Sequence, residues 1–516
     1  MPLIAALDSA FIRHRDSVCF TLADGSRSWT YGEIDELSHR VASALRALGP
    51  GARVAVLSEN DPVAFACQLG VLRAGAAYVP LNVRSRPREL AALLTTTGCD
   101  TLFYQGTLAA EAELVLAGLP KEPPAVAIGA GRARDPRLDA WMGPAGVRCP
   151  PPPADREAPA WIMGTGGTTG TPKAVVLPRR SIFTMALGLA AHMPEERPVQ
   201  IAAAPLTHAA GGLTFPLLLQ GGTTVVHQGV DPGAILESIE RDRVTRLFLP
   251  PTAIYALLAH PSVREHDYST LRYFLYGAAP MSVDRLREAL EVFGPVMAQF
   301  YGQGEAPTIC TWLGPGDHAE AIADPGKAGR LASCGRPSLV ARVAILDSEG
   351  RHLPPGRTGE IAVRTELRMS GYLDAPEASA EIDRGDGWQG TGDVGHADED
   401  GFVYIVDRLR DLIITGGFNV FPSEVEQVLW GHPAVGDCAV IGVPDDRWGE
   451  AVTAVVELKR GASVEEAELI GLCRDALGGV KAPKRVIFRD LPRSPVGKVL
   501  KKDLRAEYWH GRTRSI

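Results

Sequence analysis

Residues 164–173 read Gly164-Thr165-Gly166-Gly167-Thr168-Thr169-Gly170-Thr171-Pro172-Lys173. Glycines let a backbone turn sharply and approach a ligand closely. The threonines add hydroxyl donors and Lys173 adds a positive charge. Successive backbone N–H groups in such a loop form an anion-binding nest suited to phosphate. Apolar Ala160-Trp161-Ile162-Met163 precedes the run and Ala174-Val175-Val176-Leu177 follows it. The expectation is strand, loop, strand. No Gly-Lys-Ser/Thr ends the run and no GxGxxG is present, so neither a Walker loop nor a dinucleotide fingerprint applies. A glycine-rich hairpin without a ligand is the competing reading of the loop alone.

The chain has 516 residues, too many for one ordinary domain. A net charge of −8 argues against a surface built for nucleic acid. Lys481, Lys484, Arg485, Arg489, Arg493, Lys498, Lys501 and Lys502 make the C-terminal stretch locally basic. By default they form a solvated face, and a surface for polyphosphate or CoA is the sharper alternative. The eight cysteines have no CxxC spacing, so neither a zinc site nor a disulfide framework is expected. A cytoplasmic location fits them, and neither a signal peptide nor a spanning helix is expected.

Thr30-Tyr31-Gly32-Glu33-Ile34 opens an amphipathic helix to about Leu48. Arg53–Leu57 is a buried strand, and a second helix runs to about Ala74. Alternation of this sort predicts a parallel α/β sheet. The Pro-, Ala- and Gly-rich stretch from Leu119 to Ala160 reads as a loose connector. Strands are expected at Gln200–Ala204 and Arg246–Leu249, with shorter antiparallel-type strands at Leu339–Leu346 and Gly359–Arg364.

Further motifs occur in a fixed order: Val71-Leu72-Arg73-Ala74-Gly75-Ala76-Ala77-Tyr78-Val79-Pro80-Leu81, Pro205-Leu206-Thr207-His208-Ala209-Ala210-Gly211, and Tyr301-Gly302-Gln303-Gly304-Glu305. Gly359-Glu360-Ile361, Gly371-Tyr372, Thr391-Gly392-Asp393, Asp407-Arg408-Leu409-Arg410-Asp411, Gly416-Gly417-Phe418-Asn419 and Gly497-Lys498 follow. With the loop, this series resembles the adenylate-forming superfamily, in its acyl-CoA ligase branch. The superfamily includes acyl-CoA synthetases, luciferases and the adenylation domains of peptide synthetases. The resemblance implies an α/β fold. Residues 1–407 would form a large N-terminal domain of two α/β halves plus a small β-barrel-like part. Residues 408–516 would form a small mobile α/β cap, hinged at Arg410.

The resemblance also implies two half-reactions: a carboxylate and ATP give acyl-AMP, and a thiol then displaces AMP. The cofactors would be ATP or acyl-AMP, CoA and Mg²⁺. Lys498 would bridge carboxylate and phosphate, and Glu305 would be the Mg²⁺-associated carboxylate. Thr165, Gly166, Gly167, Thr168, Thr169, Gly170 and Lys173 would hold phosphate. Gly277, Ala278, Ala279 and Pro280 would lie along the adenine, with Tyr301 on its other face and Gly302 and Gly304 beside it. Asp393 would accept from the ribose hydroxyls, and Arg408 would reach ribose or phosphate. His208 would sit between the acyl pocket and the thiol tunnel. Ala209, Ala210, Gly211 and Gly212 would leave room for a bulky apolar acid, or would let a helix pack closely. Gly416 and Gly417 would line the CoA tunnel.

Two departures stand out. Gly304 replaces the threonine of the Y-G-x-T-E pattern, and Gly166 replaces a usual serine. Each lost hydroxyl would remove about 1.5–3 kcal/mol at a charged oxygen. The sequence therefore points to an acyl-CoA ligase weak in adenylation but intact in thioesterification. The alternatives are an ordinary two-step ligase, acting on CoA or on a carrier protein, and an inactive adenylate-binding regulator. A separate adenylating enzyme is a possible partner under the first reading.

Overall fold

The structure, a computed structural model, describes residues 2–164, 173–493 and 499–509. Thr30 caps the first helix predicted from sequence. Its hydroxyl accepts from Glu33 N at 3.2 Å, and the Glu33 carboxylate accepts from Thr30 N at 2.7 Å. This reciprocal capping box satisfies N–H groups that a helix start leaves unpaired. The α-helix is Tyr31–Leu45, a 3₁₀ turn continues over Arg46–Leu48, and Gly49 at φ +84° ends it. The Arg53–Leu57 strand and the Pro62–Ala74 helix follow as expected.

The chain divides into two compact units, one of Met1–Val343 with Val363–Gln389 and one of Ala344–Ala362 with Gly390–Ile516. Among the described residues the first unit holds two large, mainly parallel sheets. In the nine-stranded sheet the order is Arg336–Pro337, Ala306–Leu313, Met297–Gln303, Tyr273–Tyr276, Arg246–Phe248, Val199–Ala202, Thr223–Val226, Val18–Leu22 and Ser28–Thr30. In the seven-stranded sheet it is Gly371–Tyr372, Ala174–Pro178, Pro159–Gly164, Ala77–Leu81, Arg53–Leu57, Thr101–Gln105 and Ala125–Ile128. Central strands such as Ala77–Leu81 are buried at every residue, as parallel strands covered on both faces must be.

The Leu119–Ala160 stretch is not only a connector. Ala125–Ile128 is a fully buried strand paired in parallel with Thr101–Gln105, and Leu138–Trp141 is a short helix. Its run of small residues carries a weak strand signal, and burial against a neighbouring strand decides it. The strands expected at Leu339–Leu346 and Gly359–Arg364 are Ala341–Leu346 and Gly359–Thr365.

Their four-stranded sheet continues with Gln389–Ala397 and Val403–Arg408. The second unit also carries the sheet Phe418–Val420, Ile413–Thr415, Gly449–Leu458 and Val435–Asp445, with Arg485–Phe488 parallel to Gly449–Leu458. Compactness thus groups 344–362 and 390–407 with the C-terminal residues. The boundary expected at 407/408 is taken up below as a proposal.

The antiparallel pair Met297–Gln303 and Ala306–Leu313 shifts register between Tyr301 and Gln303. A Cβ on Gly302 would lie 2.6 Å from Thr308 N and 2.9 Å from Ala306 O. Both are backbone atoms, so the hairpin must open to admit it. Gly302→Ala is therefore expected to destabilise by about 1–3 kcal/mol. Gly316→Ala, where nothing lies within 4 Å, should be neutral or slightly stabilising. Thermal melts of the two variants check the contrast.

Candidate active site

The antiparallel strands Pro159–Gly164 and Ala174–Pro178 place Gly164 opposite Ala174. Both flanking strands stand where the sequence predicted them. Thr165, Gly166, Gly167, Thr168, Thr169 and Gly170 lie outside the described residues. Lys173, at the loop's exit, is described. Its Nζ stands 5.0 Å from the centre of the Tyr372 ring. The Tyr372 hydroxyl donates to Glu305 Oε1 at 2.7 Å. The Glu305 carbonyl accepts from Met369 N at 2.8 Å and from Gln389 Nε2 at 3.2 Å. Tertiary structure thus joins three separate motifs through Tyr372, to which the sequence reading gave no role. The Gly-Tyr pair was visible as a motif. Only its pairing, Tyr372 opposite Val175, shows where the ring goes.

Gly277–Pro280 follows the Tyr273–Tyr276 strand. A Cβ on Gly277 would lie 2.8 Å from Phe300 O, so this loop runs against the Tyr301 strand. Ala278 has φ +65°, Thr308 +67° and Asp374 +53°. Left-handed backbone at non-glycine residues is strained, and such strain concentrates at functional sites. These three lie within or beside the predicted segments, whereas Arg197, Arg243 and Asp386, with the same left-handed backbone, do not. Tyr301 and Gly304 are half-buried, and Tyr301 packs against the main core.

His208 precedes the Ala209–Leu219 helix, and its Nδ1 is 2.9 Å from Thr207 Oγ1. Ala210 is buried and Ala209 is exposed. A Cβ on Gly211 would stand 1.9 Å from the Leu206 carbonyl oxygen, and one on Gly212 would meet Met185 Cε at 3.2 Å. Gly211 therefore has no room for a side chain against the turn that precedes its helix.

In the second unit, Asp393 and Arg408 are directly opposite one another on the antiparallel strands Gln389–Ala397 and Val403–Arg408. Arg408 Nε is 3.2 Å from Asp393 Oδ1, and Asp393 N donates to Thr391 Oγ1. Arg410 lies exposed on the Leu409–Asp411 turn. Gly416 (φ +57°) abuts Trp448: a Cβ there would lie 2.9 Å from the indole. Arg447 and Lys484 stand 4.7 and 5.9 Å from the Trp448 ring, a cation-flanked aromatic plane that the sequence reading missed. Gly417 has φ +81° and open space around it. Lys498 lies outside the described residues.

The basic C-terminal stretch is not simply a solvated face. Lys501 is held 2.7 Å from buried Glu426, Arg505 lies 2.6 Å from Asp411, and Arg493 lies 2.8 Å from Asp437. Alternating charge in sequence gave no sign of which cations would be drawn inward.

The family profile described as "AMP-binding enzyme" matches residues 7–373, and that described as "AMP-binding enzyme C-terminal domain" matches 424–498. The chain belongs to the AMP-binding enzyme family. Among relatives, it is 37% identical over 492 residues to a feruloyl-CoA synthase of Amycolatopsis, covering 94% of this chain and 95% of that protein. It is 44% identical over 361 residues to the medium/long-chain-fatty-acid–CoA ligase FadD8 of Mycobacterium tuberculosis, covering 68% of this chain and 62% of the ligase. Among solved structures, the amide bond synthetase McbA from Marinactinospora thermotolerans matches with a TM-score of 0.88 and 33% identity, covering 98% of this chain and 100% of that one. The chain is thus an adenylate-forming enzyme of the acyl-CoA ligase branch. Among the described residues no helix is long and apolar enough to cross a membrane.

An enzyme of this family is expected to use Mg²⁺. Magnesium takes hard oxygen ligands, usually one or two carboxylates with substrate phosphates. Glu305, a half-buried carboxylate whose Oε1 is fixed by Tyr372, fits that donor set. Asp8, Asp35 and His39 also cluster, but Arg73 lies 2.7 Å from Asp8 and 3.1 Å from Asp35. Arginine already balances those acids, and the cluster is an internal ion-pair network.

Burial lowers the His208 pKa to about 4, and it does the same for His318. Burial and then Arg73 lower His39 to about 4. Below the ordinary value of 6.5 the unfolded chain takes up protons at these positions and the folded enzyme does not. Stability should therefore fall as pH drops from about 6.5 towards 4. His208→Asn is expected to flatten that fall in melts taken across this window. An unchanged slope would show that the native imidazole is not held neutral.

Proposed function

We propose that this enzyme forms the CoA thioester of a bulky hydrophobic carboxylic acid through an acyl-AMP intermediate, with weak adenylation and competent thioesterification. The observation that carries the reading is the pair Gly304 and Gly166, set where hydroxyl side chains are usual. Hydroxyls around Gly304 are already engaged. Thr308 Oγ1 donates to Met185 Sδ at 3.4 Å, and the Tyr372 hydroxyl donates to Glu305. The match to a feruloyl-CoA synthase supports a hydrophobic acid and a CoA acceptor.

In the adenylation step the acid's carboxylate attacks the α-phosphate and pyrophosphate leaves. Lys498 and Lys173 are the cations assigned to the developing charge, and Glu305 would hold the metal. Mg²⁺, when bound, neutralises phosphate charge. Asp393 and Arg408 hold the ribose end. In the second step the thiol sulfur attacks the acyl carbon and AMP leaves. His208, Gly416 and Gly417 are assigned to the path of the thiol. A neutral imidazole at His208 suits that path, because a cation there would cost solvation. The cap is taken as residues 408–516 turning about Arg410. The gap between the two family matches, 373 to 424, contains that position.

The wild-type enzyme is expected to convert synthetic acyl-AMP and CoA to acyl-CoA rapidly, yet show little acid-dependent exchange of pyrophosphate into ATP. Gly304→Thr, alone or with Gly166→Ser, should raise exchange at least tenfold, equivalent to about 1.4 kcal/mol. Robust exchange by the unmodified enzyme would instead make it an ordinary two-step ligase. Lys498→Ala should nearly abolish adenylation and spare thioesterification from preformed acyl-AMP. A comparable collapse of both steps contradicts its assigned role. The structural match to an amide bond synthetase favours one further acceptor class, a primary amine. Replacing CoA by amines in the acyl-AMP assay separates the two products.

A further inference from the structure

We infer that Tyr372 is a positioning residue for the metal-nucleotide site, fixing the Glu305 carboxylate through its hydroxyl; this rests on the assignment of Glu305 above. Tyr372 is held at three points. It pairs with Val175 in the strand that leaves the phosphate loop, its N donates to Ser379 Oγ at 2.8 Å, and Leu373 N donates to Ala174 O at 2.8 Å. Gly371 before it has φ +148°, a conformation that side-chain-bearing residues rarely adopt. The phenol therefore projects from a fixed backbone.

Glu305 is equally fixed at its carbonyl by Met369 N and Gln389 Nε2. Its side chain would otherwise rotate freely about three torsions. The 2.7 Å bond from Tyr372 occupies Oε1 and selects one carboxylate orientation. A donor on one oxygen leaves the other oxygen for a cation. The ring meanwhile offers its π face to the Lys173 ammonium. One side chain thus sets the loop lysine and the acidic residue relative to each other. That relation is electrostatic preorganisation, which acts most where charge develops.

The test uses the full chain and the variants Tyr372→Phe, Glu305→Gln and their combination. Phenylalanine keeps the ring against Lys173 and removes only the hydroxyl. Binding of Mn²⁺ in the presence of α,β-methylene-ATP is read by electron paramagnetic resonance. In parallel, Mg²⁺ is titrated in the reverse reaction, in which acyl-AMP and pyrophosphate give ATP and the free acid. Tyr372→Phe should weaken Mn²⁺ binding about tenfold and raise the Mg²⁺ requirement alike. The double variant should be no worse than Glu305→Gln, since the tyrosine acts through the carboxylate. In Tyr372→Phe, thioester formation from acyl-AMP and CoA should fall less than metal binding. If Glu305→Gln loses the metal and Tyr372→Phe does not, the inference fails and the assignment of Glu305 stands. If Glu305→Gln binds Mn²⁺ like wild type, that assignment fails and the inference with it. Equal losses by Tyr372→Phe in metal binding and thioesterification would mark general structural damage and also overturn it.

Discussion

Everything at the candidate phosphate site depends on one antiparallel ladder. Pro159–Gly164 and Ala174–Pro178 pair with Gly164 opposite Ala174 and belong to the seven-stranded sheet. The ladder continues outward, because Gly371–Tyr372 adds to the same strand. A loop rich in glycine has the most backbone entropy to lose, so its ends must be held by something rigid. Here the rigid element is a sheet whose central strands are buried on both faces. Tyr372 carries that rigidity to Glu305, some way along another hairpin.

The second unit solves a different problem, how to hold charge away from water. Glu426 is buried, accepts from Val440 N at 2.6 Å and pairs with Lys501. Asp407 accepts from Arg408 N and Ser423 N, and Asp411 pairs with Arg505. Burial pushes the carboxyls of Glu426 and Asp407 up, and the nearby Lys501 opposes that shift. For Asp411 the cations outweigh burial and its pKa falls. Such networks contribute little net stability but are costly to break at one partner. This one ties the Asp407–Asp411 segment to the helix Lys501–Ala506, and Arg493 is anchored separately by Asp437 and Glu457.

Much of the fold was legible because its signals are local. Thr30 and Glu33 spell a helix start whatever surrounds them. Val54–Leu57 is an unbroken apolar run, as a doubly covered strand must be. The alternation of such runs with amphipathic helices gave the α/β class. Ala125–Ile128 was missed because Ala-Val-Ala-Ile is only four residues long in a stretch rich in Pro, Ala and Gly. Its identity comes from its partner, Thr101–Gln105. Gly211 shows the same limit in reverse. In sequence nothing marks it as a tight contact, and the structure puts the Leu206 carbonyl oxygen 1.9 Å from where a Cβ would stand.

By itself the sequence determined the order of motifs, the family chemistry and the two glycines that replace hydroxyls. These depend on residue identity and spacing, which survive without coordinates. The tertiary structure alone decided which motifs meet. Lys173, Glu305 and Tyr372 are far apart in the chain, and strand pairing sets their distances. Structure also decided which cations are drawn against buried acids, as Lys501 shows. That choice depends on the acids folded against it, and those acids come from other segments of the chain.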